Sequence, residues 1–220
     1  MSFESHHHSD STAVALAWLL GLAGASWVVA ARQMDGMDMG TATELGSFGF
    51  FVALWVSMMA AMMLPGAVPT AASSAGRGGV LAVPRFAAAY LAVWTLIGVA
   101  VYAVYQPHGT VAAGALAIAA GIYELTPLKR HCRRRCRSRV RSGFELGCWC
   151  VGSSIGLMVL LLAVGVMSVP WMAIVAALVA AQKLLPPRAA VDVPLALAIV
   201  ALGALIVASP SAVPGLTPAM

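Results

Sequence analysis

The sequence predicts an all-α fold, a polytopic bundle of transmembrane helices, and three observations predict it. Of 220 residues 61% are hydrophobic and 10% are charged, whereas a soluble domain carries about a quarter charged residues. The apolar residues fall into runs of roughly 15 to 21, and about 20 suffice to cross the hydrocarbon core of a bilayer. The basic side chains are crowded into one short stretch, as they are in loops held on the cytoplasmic side. Mean hydropathy is +0.90.

Taken in order, the strongest spans are Ala13 to Ala31, Gly46 to Leu64, Phe86 to Tyr105 and Gly147 to Met167, each free of charge. Weaker ones are Thr110 to Tyr123, Pro170 to Leu185 and Val193 to Ala208. Seven spans are expected, six if the short run at Thr110 is buried or re-entrant. The residues before the first run, Met1 to Thr12, lack the Lys/Arg region of a cleavable signal, so the first run is read as a retained span.

Eight of the thirteen basic residues lie between Lys129 and Arg141. Placing them in the cytoplasm brings Arg77, Arg85, Lys183 and Arg188 to the same side by alternation and leaves only Arg32 outside. The resulting organisation is a cytoplasmic segment 1–12 and a single helical domain 13–209. That domain has an external Met-rich loop 32–45 and a cytoplasmic Arg/Cys loop 126–146, and an external tail 210–220 follows. The N-terminus is then inside and the C-terminus outside an inner or plasma membrane. A run such as Lys-Arg-His-Cys-Arg-Arg-Arg-Cys could bind a polyanion. Its position beside a span instead fits topology and anionic lipid, and no nucleic-acid partner is expected.

Sulfur is the other unusual feature. The second span contains Trp55-Val-Ser-Met58-Met59-Ala-Ala-Met62-Met63-Leu-Pro65, in which Met58 stacks on Met62 and Met59 on Met63 at helical i, i+4 spacing. Thioether sulfur is a soft, neutral donor that suits Cu(I), and it adds no charge to a bilayer interior when empty. Methionine is equally a flexible filler of irregular helix interfaces. Met34, Met37 and Met39 recur among Asp35, Gly36, Asp38 and Gly40 in the external loop, where core packing does not account for them. Three sulfurs there could form a trigonal site, and the aspartates would concentrate cations; an interfacial apolar loop with no ligand is the alternative.

All four cysteines fall toward the cytoplasmic side: Cys132 and Cys136 in the basic loop, Cys148 and Cys150 at the head of the fifth span. A reducing compartment favours metal binding or thiol exchange over structural disulfides. The spacing is not that of a zinc ribbon. Glu124, at the inner end of a span, has Lys129 or Arg130 as its nearest partner, with a relay role as the other reading. Nothing in the sequence decides the role of His108.

Three stretches together resemble a known family. They are Trp55-x-x-Met58-Met59-Ala-Ala-Met62-Met63-x-Pro65, then Ala120-Gly121 through Pro127-Leu128-Lys129-x-x-Cys132-x-x-x-Cys136, and Gly147-Cys-Trp-Cys150 followed by Gly165-x-Met167. They resemble the DUF2182 family of integral membrane proteins, described as predicted metal-binding and as copper uptake proteins associated with polyphenol oxidase maturation. Where that family's pattern has an acid and a lysine after the sixth span, this chain has Gln182-Lys183. The resemblance implies copper handling across the membrane to load a copper enzyme or its chaperone.

The combined expectation is a non-enzymatic copper-handling protein. Cu(I) would be gathered at Met34, Met37 and Met39, passed to Met58, Met59, Met62 and Met63, and released to Cys132, Cys136, Cys148 and Cys150. No G-x-x-x-x-G-K-[ST] phosphate loop is present to drive the movement with nucleotide. The rival readings are a membrane thiol oxidoreductase, which would cycle one of the cysteines through a disulfide, and a non-catalytic accessory membrane subunit, in which the methionines only pack.

Overall fold

A computed structural model describes residues 3–35, 45–78, 81–106, 108–138, 140, 142–165, 168–185 and 189–213. Among these the chain is built from helices alone. They run α1 (Phe3–Met34), α2 (Phe48–Met63), α3 (Val68–Gly78), α4 (Ala82–Val104) and α5 (Thr110–Glu124), then α6 (Pro127–Cys136), α7 (Gly143–Val164), α8 (Val169–Leu184) and α9 (Ala189–Ala208), with short 3-10 turns at Pro65–Ala67 and Pro210–Ala212.

Four helical stretches are long and apolar enough to cross a membrane: Ala15–Met34, Ala82–Val104, Gly143–Val164 and Val191–Ala208. The count rises to six if the bent pairs α2 with α3 and α5 with α6 each form one span. The seventh predicted run is α8, an apolar helix of 16 residues. The outward faces support the membrane class independently of length. Leu16, Trp18, Leu20, Val28 and Val29 of α1 are exposed, while its inward stripe is Ala15, Leu19, Ala23, Ala30 and Met34. A helix larger and no less apolar outside than inside suits hydrocarbon rather than water.

The breaks follow local chemistry. Pro65 cannot donate to the ladder of α2, so the helix stops at Met63 and the chain turns by 50° into α3. Thr126 accepts from Lys129 N at 3.3 Å and Pro127 occupies the first turn, so a new helix begins there at 65° to α5. Gly165 ends α7 at φ +117°, a conformation that side-chain-bearing residues rarely adopt. The predicted loop 126–146 is therefore largely helical, because capping by Thr126 and Pro127 starts α6 at once. The predicted segment 1–12 is likewise continuous with the first span from Phe3. Of the predicted external loop 32–45, residues 36–44 lie outside the described residues, as do residues 214–220 of the tail.

α7 is the hub, with 61% of its span buried against 28% for each of the other three long spans. Small residues let its neighbours approach. A Cβ on Gly143 would lie 2.0 Å from the Phe86 carbonyl oxygen, and one on Gly147 2.9 Å from Val93, so α4 crosses closely there. On another side Gly152 lies under the Cys132 sulfur and Gly156 under Glu124, which seats α5 and α6. α5 and α9 interlock through Gly114, Gly121 and Gly203.

Candidate metal centre

The last turn and a half of α2 is enclosed. Met58, Met59, Met62 and Met63 are 0 to 3% exposed, and so are Ala60 and Ala61 between them. The sequence pattern placed the sulfurs on one side of a helix. Six consecutive buried residues instead mean that protein surrounds this segment, with α1, α4 and α8 packed around α2. Trp55 lies one turn earlier, its ring over Gly98 and its Nε1 donating to the Trp94 carbonyl at 2.8 Å.

From Met63 a continuous set of contacts leads to the thiols. The Lys183 ammonium lies 3.6 Å from Met63 Sδ and 3.3 Å from the Met63 carbonyl oxygen. It donates to Tyr90 Oη at 3.4 Å, and Tyr90 Oη is hydrogen-bonded to Cys150 Sγ at 3.0 Å. Cys150 and Cys136 are interacting neighbours from α7 and α6. Ser153 steadies both, meeting Cys136 Sγ at 3.7 Å and donating to the Cys150 carbonyl at 2.9 Å. Cys136, Cys150, Ser153, Gln182 and Lys183 line one cavity of about 300 Å³.

Each of these side chains is there for a local reason. The close crossing of α4 and α7 at Gly143 and Gly147 brings Tyr90 of α4 to Cys150 of α7. Gly66 has no side chain, and the aliphatic stem of Lys183 occupies that space, so the ammonium reaches the end of α2. The inward positions of α6 are Lys129, Cys132, Arg133 and Cys136, while Arg130, His131, Arg134 and Arg135 are exposed. That spacing is the i, i+3, i+4, i+7 stripe of one helix face.

A second polar region adjoins the first. Lys129 is ion-paired with Glu124 and donates to Gln182 Oε1 at 2.9 Å; Gln182 Nε2 donates to the same carboxylate at 2.7 Å. Arg133 is ion-paired with Asp192 and donates to the carbonyls of Gln182 at 2.8 Å and Leu185 at 3.0 Å. Arg137 also donates to the carbonyls of Lys183 and Leu185. These cations satisfy the open carbonyls at the C-terminal end of α8. Lys129, the first of the two sequence candidates, is therefore the partner of Glu124.

The predicted sulfur residues are thus divided. Cys136 and Cys150 come together, with Met63 next to them through Lys183. Cys132 is buried against Gly152, and Cys148 is exposed on α7. Met34, expected as an exposed residue of the external loop, is instead in the last turn of α1 and buried in the apolar core, so packing does account for it. Met37 and Met39 lie outside the described residues. Among the described residues no three His, Cys, Asp or Glu side chains cluster as a metal site. Any centre here is built on two thiols and on thioethers, a donor set that suits a soft monovalent ion. Sequence reasoning did not identify Tyr90 or Asp192, and it treated Lys183 as a topology marker. The available signals were a lysine inside an apolar run and a tyrosine one turn inside the span it shares with Arg85.

No curated protein and no solved structure matches the chain. The sequence profile of the PpoB2 family, described as copper chaperones, matches residues 52–206, which include every residue of the Met63–Lys183–Tyr90–Cys150–Cys136 cluster, and the chain belongs to that family.

Proposed function

We propose that this protein binds Cu(I) through the Cys136 and Cys150 thiols and the α2 thioethers, moves it across an inner or plasma membrane, and hands it to a copper protein without catalysing a covalent reaction. The observation that carries the reading is that thiols from two separate helices are neighbours in a cavity that the methionine-rich end of α2 reaches through Lys183. Two thiolates bind Cu(I) tightly, whereas thioethers bind it weakly and exchange it readily. A run of methionines ending at a cysteine pair is therefore a gradient of rising affinity.

Seven spans with the N-terminus inside fit this arrangement. The helix ends meeting at the cluster are the C-terminal ends of α2 and α8 and the N-terminal ends of α4 and α7, as alternating crossings require. The exposed Arg130, Arg134 and Arg135 beside them are suited to anionic lipid on the cytoplasmic face. Met37 and Met39, which follow the buried Met34 in the sequence, would then collect the ion at the other face.

The test is anaerobic Cu(I) loading of the detergent-purified protein, followed by metal analysis and X-ray absorption. Bound copper with an all-sulfur shell is expected, lost in Cys136→Ser and Cys150→Ser and retained in Cys148→Ser. Full retention in both of the first two variants overturns the site. The adjacency of the two thiols also suits the oxidoreductase reading. That reading is favoured if Cys136 and Cys150 resist alkylation after turnover with a quinone and the protein takes up no copper.

A further inference from the structure

Lys183 presents a charge in an unusual setting. Its ammonium is held by Met63 Sδ, the Met63 carbonyl and Tyr90 Oη, and among the described residues no carboxylate forms a salt bridge with it. Lys129 and Arg133, the two fully buried cations of this region, each have an acid, whereas Lys183 is half-buried and has none among the described residues. A partly buried cation without a counter-charge is costly unless it serves something. What lies nearest is sulfur: Cys150 shares Tyr90 Oη with the ammonium and is within interacting reach of it, and Cys136 is the neighbour of Cys150.

We infer that Lys183 is the fixed counter-charge of the Cys136–Cys150 site and makes it selective for a monovalent soft ion over a divalent one. The inference rests on the copper reading above. When Cu(I) binds two thiols, two S–H bonds break, two Cu–S bonds form, two protons leave and copper keeps its oxidation state. The product is a bis-thiolate complex of charge −1. Beside a −1 complex the ammonium brings the site to neutrality. A divalent ion such as Zn(II) on the same two thiolates gives a neutral complex, and the ammonium then leaves the site with an uncompensated positive charge. Burial magnifies that difference, because Coulomb energies rise as the effective dielectric constant falls. Thiolates bind Zn(II) as well as Cu(I), so ligand type alone does not separate the two ions; the lysine adds a penalty that depends on charge.

The experiment compares the full-length protein in detergent with Lys183→Gln and Lys183→Arg. The readouts are Cu(I) affinity by competition with a chromophoric chelator under anaerobic conditions, and Zn(II) affinity in the same preparation. Glutamine keeps most of the stem that lies over Gly66 and adds no sulfur, and thermal unfolding checks the fold. For Lys183→Gln the expected result is Cu(I) affinity roughly a hundredfold weaker and Zn(II) affinity unchanged or tighter, with an unchanged sulfur shell by X-ray absorption. Lys183→Arg, which keeps the charge, is expected to retain the preference. If Lys183→Gln keeps both affinities of the unaltered protein, the counter-charge role is overturned while the copper site stands. If the unaltered protein binds no Cu(I) at these cysteines, the copper reading itself fails.

Discussion

Two buried polar regions lie side by side where α6, α7 and α8 meet, and they are built on opposite principles. In one, Glu124, Lys129, Arg133 and Asp192 form two ion pairs bridged by Gln182 and by the carbonyls that end α8. Every charge has its opposite, so the region is closed and its work is to hold α6 under the bundle. In the other, Met63, Tyr90, Cys136 and Cys150 surround the single charge of Lys183. Electrostatics there is completed only when an anion forms, and two thiols can form one by binding a metal ion. The basic stretch, which by composition reads as one topology signal, thus has two uses. Lys129 and Arg133 turn inward and Arg137, exposed just after α6, reaches the carbonyls that end α8, while Arg130, Arg134 and Arg135 face out.

The contrast is sharpest when a partner is removed. Lys129→Met strands the Glu124 carboxylate, whose Oε1 already has no hydrogen-bond partner among the described residues. Breaking a buried pair in this way costs about 3–5 kcal/mol. Thermal unfolding in detergent should show that loss, and Lys129→Met combined with Glu124→Gln should recover much of it. An unshifted transition in the single variant would mean that the closed region holds nothing together.

A smaller effect should separate the regions at the hub. Gly143→Ala places a Cβ against the Phe86 carbonyl and pushes α4 from α7, which disturbs the Tyr90–Cys150 contact but not the ion pairs. Overpacking of this kind costs about 1–3 kcal/mol. Copper affinity should fall along with stability, and equal copper affinity at reduced stability would detach Tyr90 from the site. Smaller still in stability is each single Met→Leu at 58, 59, 62 and 63, where a volume-conserving exchange costs less than about 1.5 kcal/mol per site. Cellular copper content should drop in the quadruple variant although the protein accumulates normally. Unchanged copper would leave those methionines as packing alone.

Much of the architecture was legible before folding. Pro65 marks one bend because a residue without an amide hydrogen cannot continue a ladder, whereas the stretch from residue 126, expected as a loop, opens a helix at Pro127. Glu124 and Lys129 could be paired because five residues bring them around the α5–α6 corner. The enclosure of α2 was not legible, since four methionines on a helix look the same facing lipid or protein when both are apolar. Nor was the choice of Cys136 and Cys150 from four thiols, because i, i+4 spacing says only that Cys132 and Cys136 share a face.

By itself, then, the sequence determined the class of molecule and its inventory: apolar helices of near-membrane length, their breaks, a lopsided charge distribution and an excess of soft donors. Those are properties of composition and of neighbours within a few residues. Tertiary structure alone decided that residues 63, 90, 136, 150 and 183, drawn from five helices, would share one place. The glycines at 66, 143 and 147 set how closely those helices approach, and which helix takes up the space a missing side chain leaves is a property of the packed bundle, not of any segment.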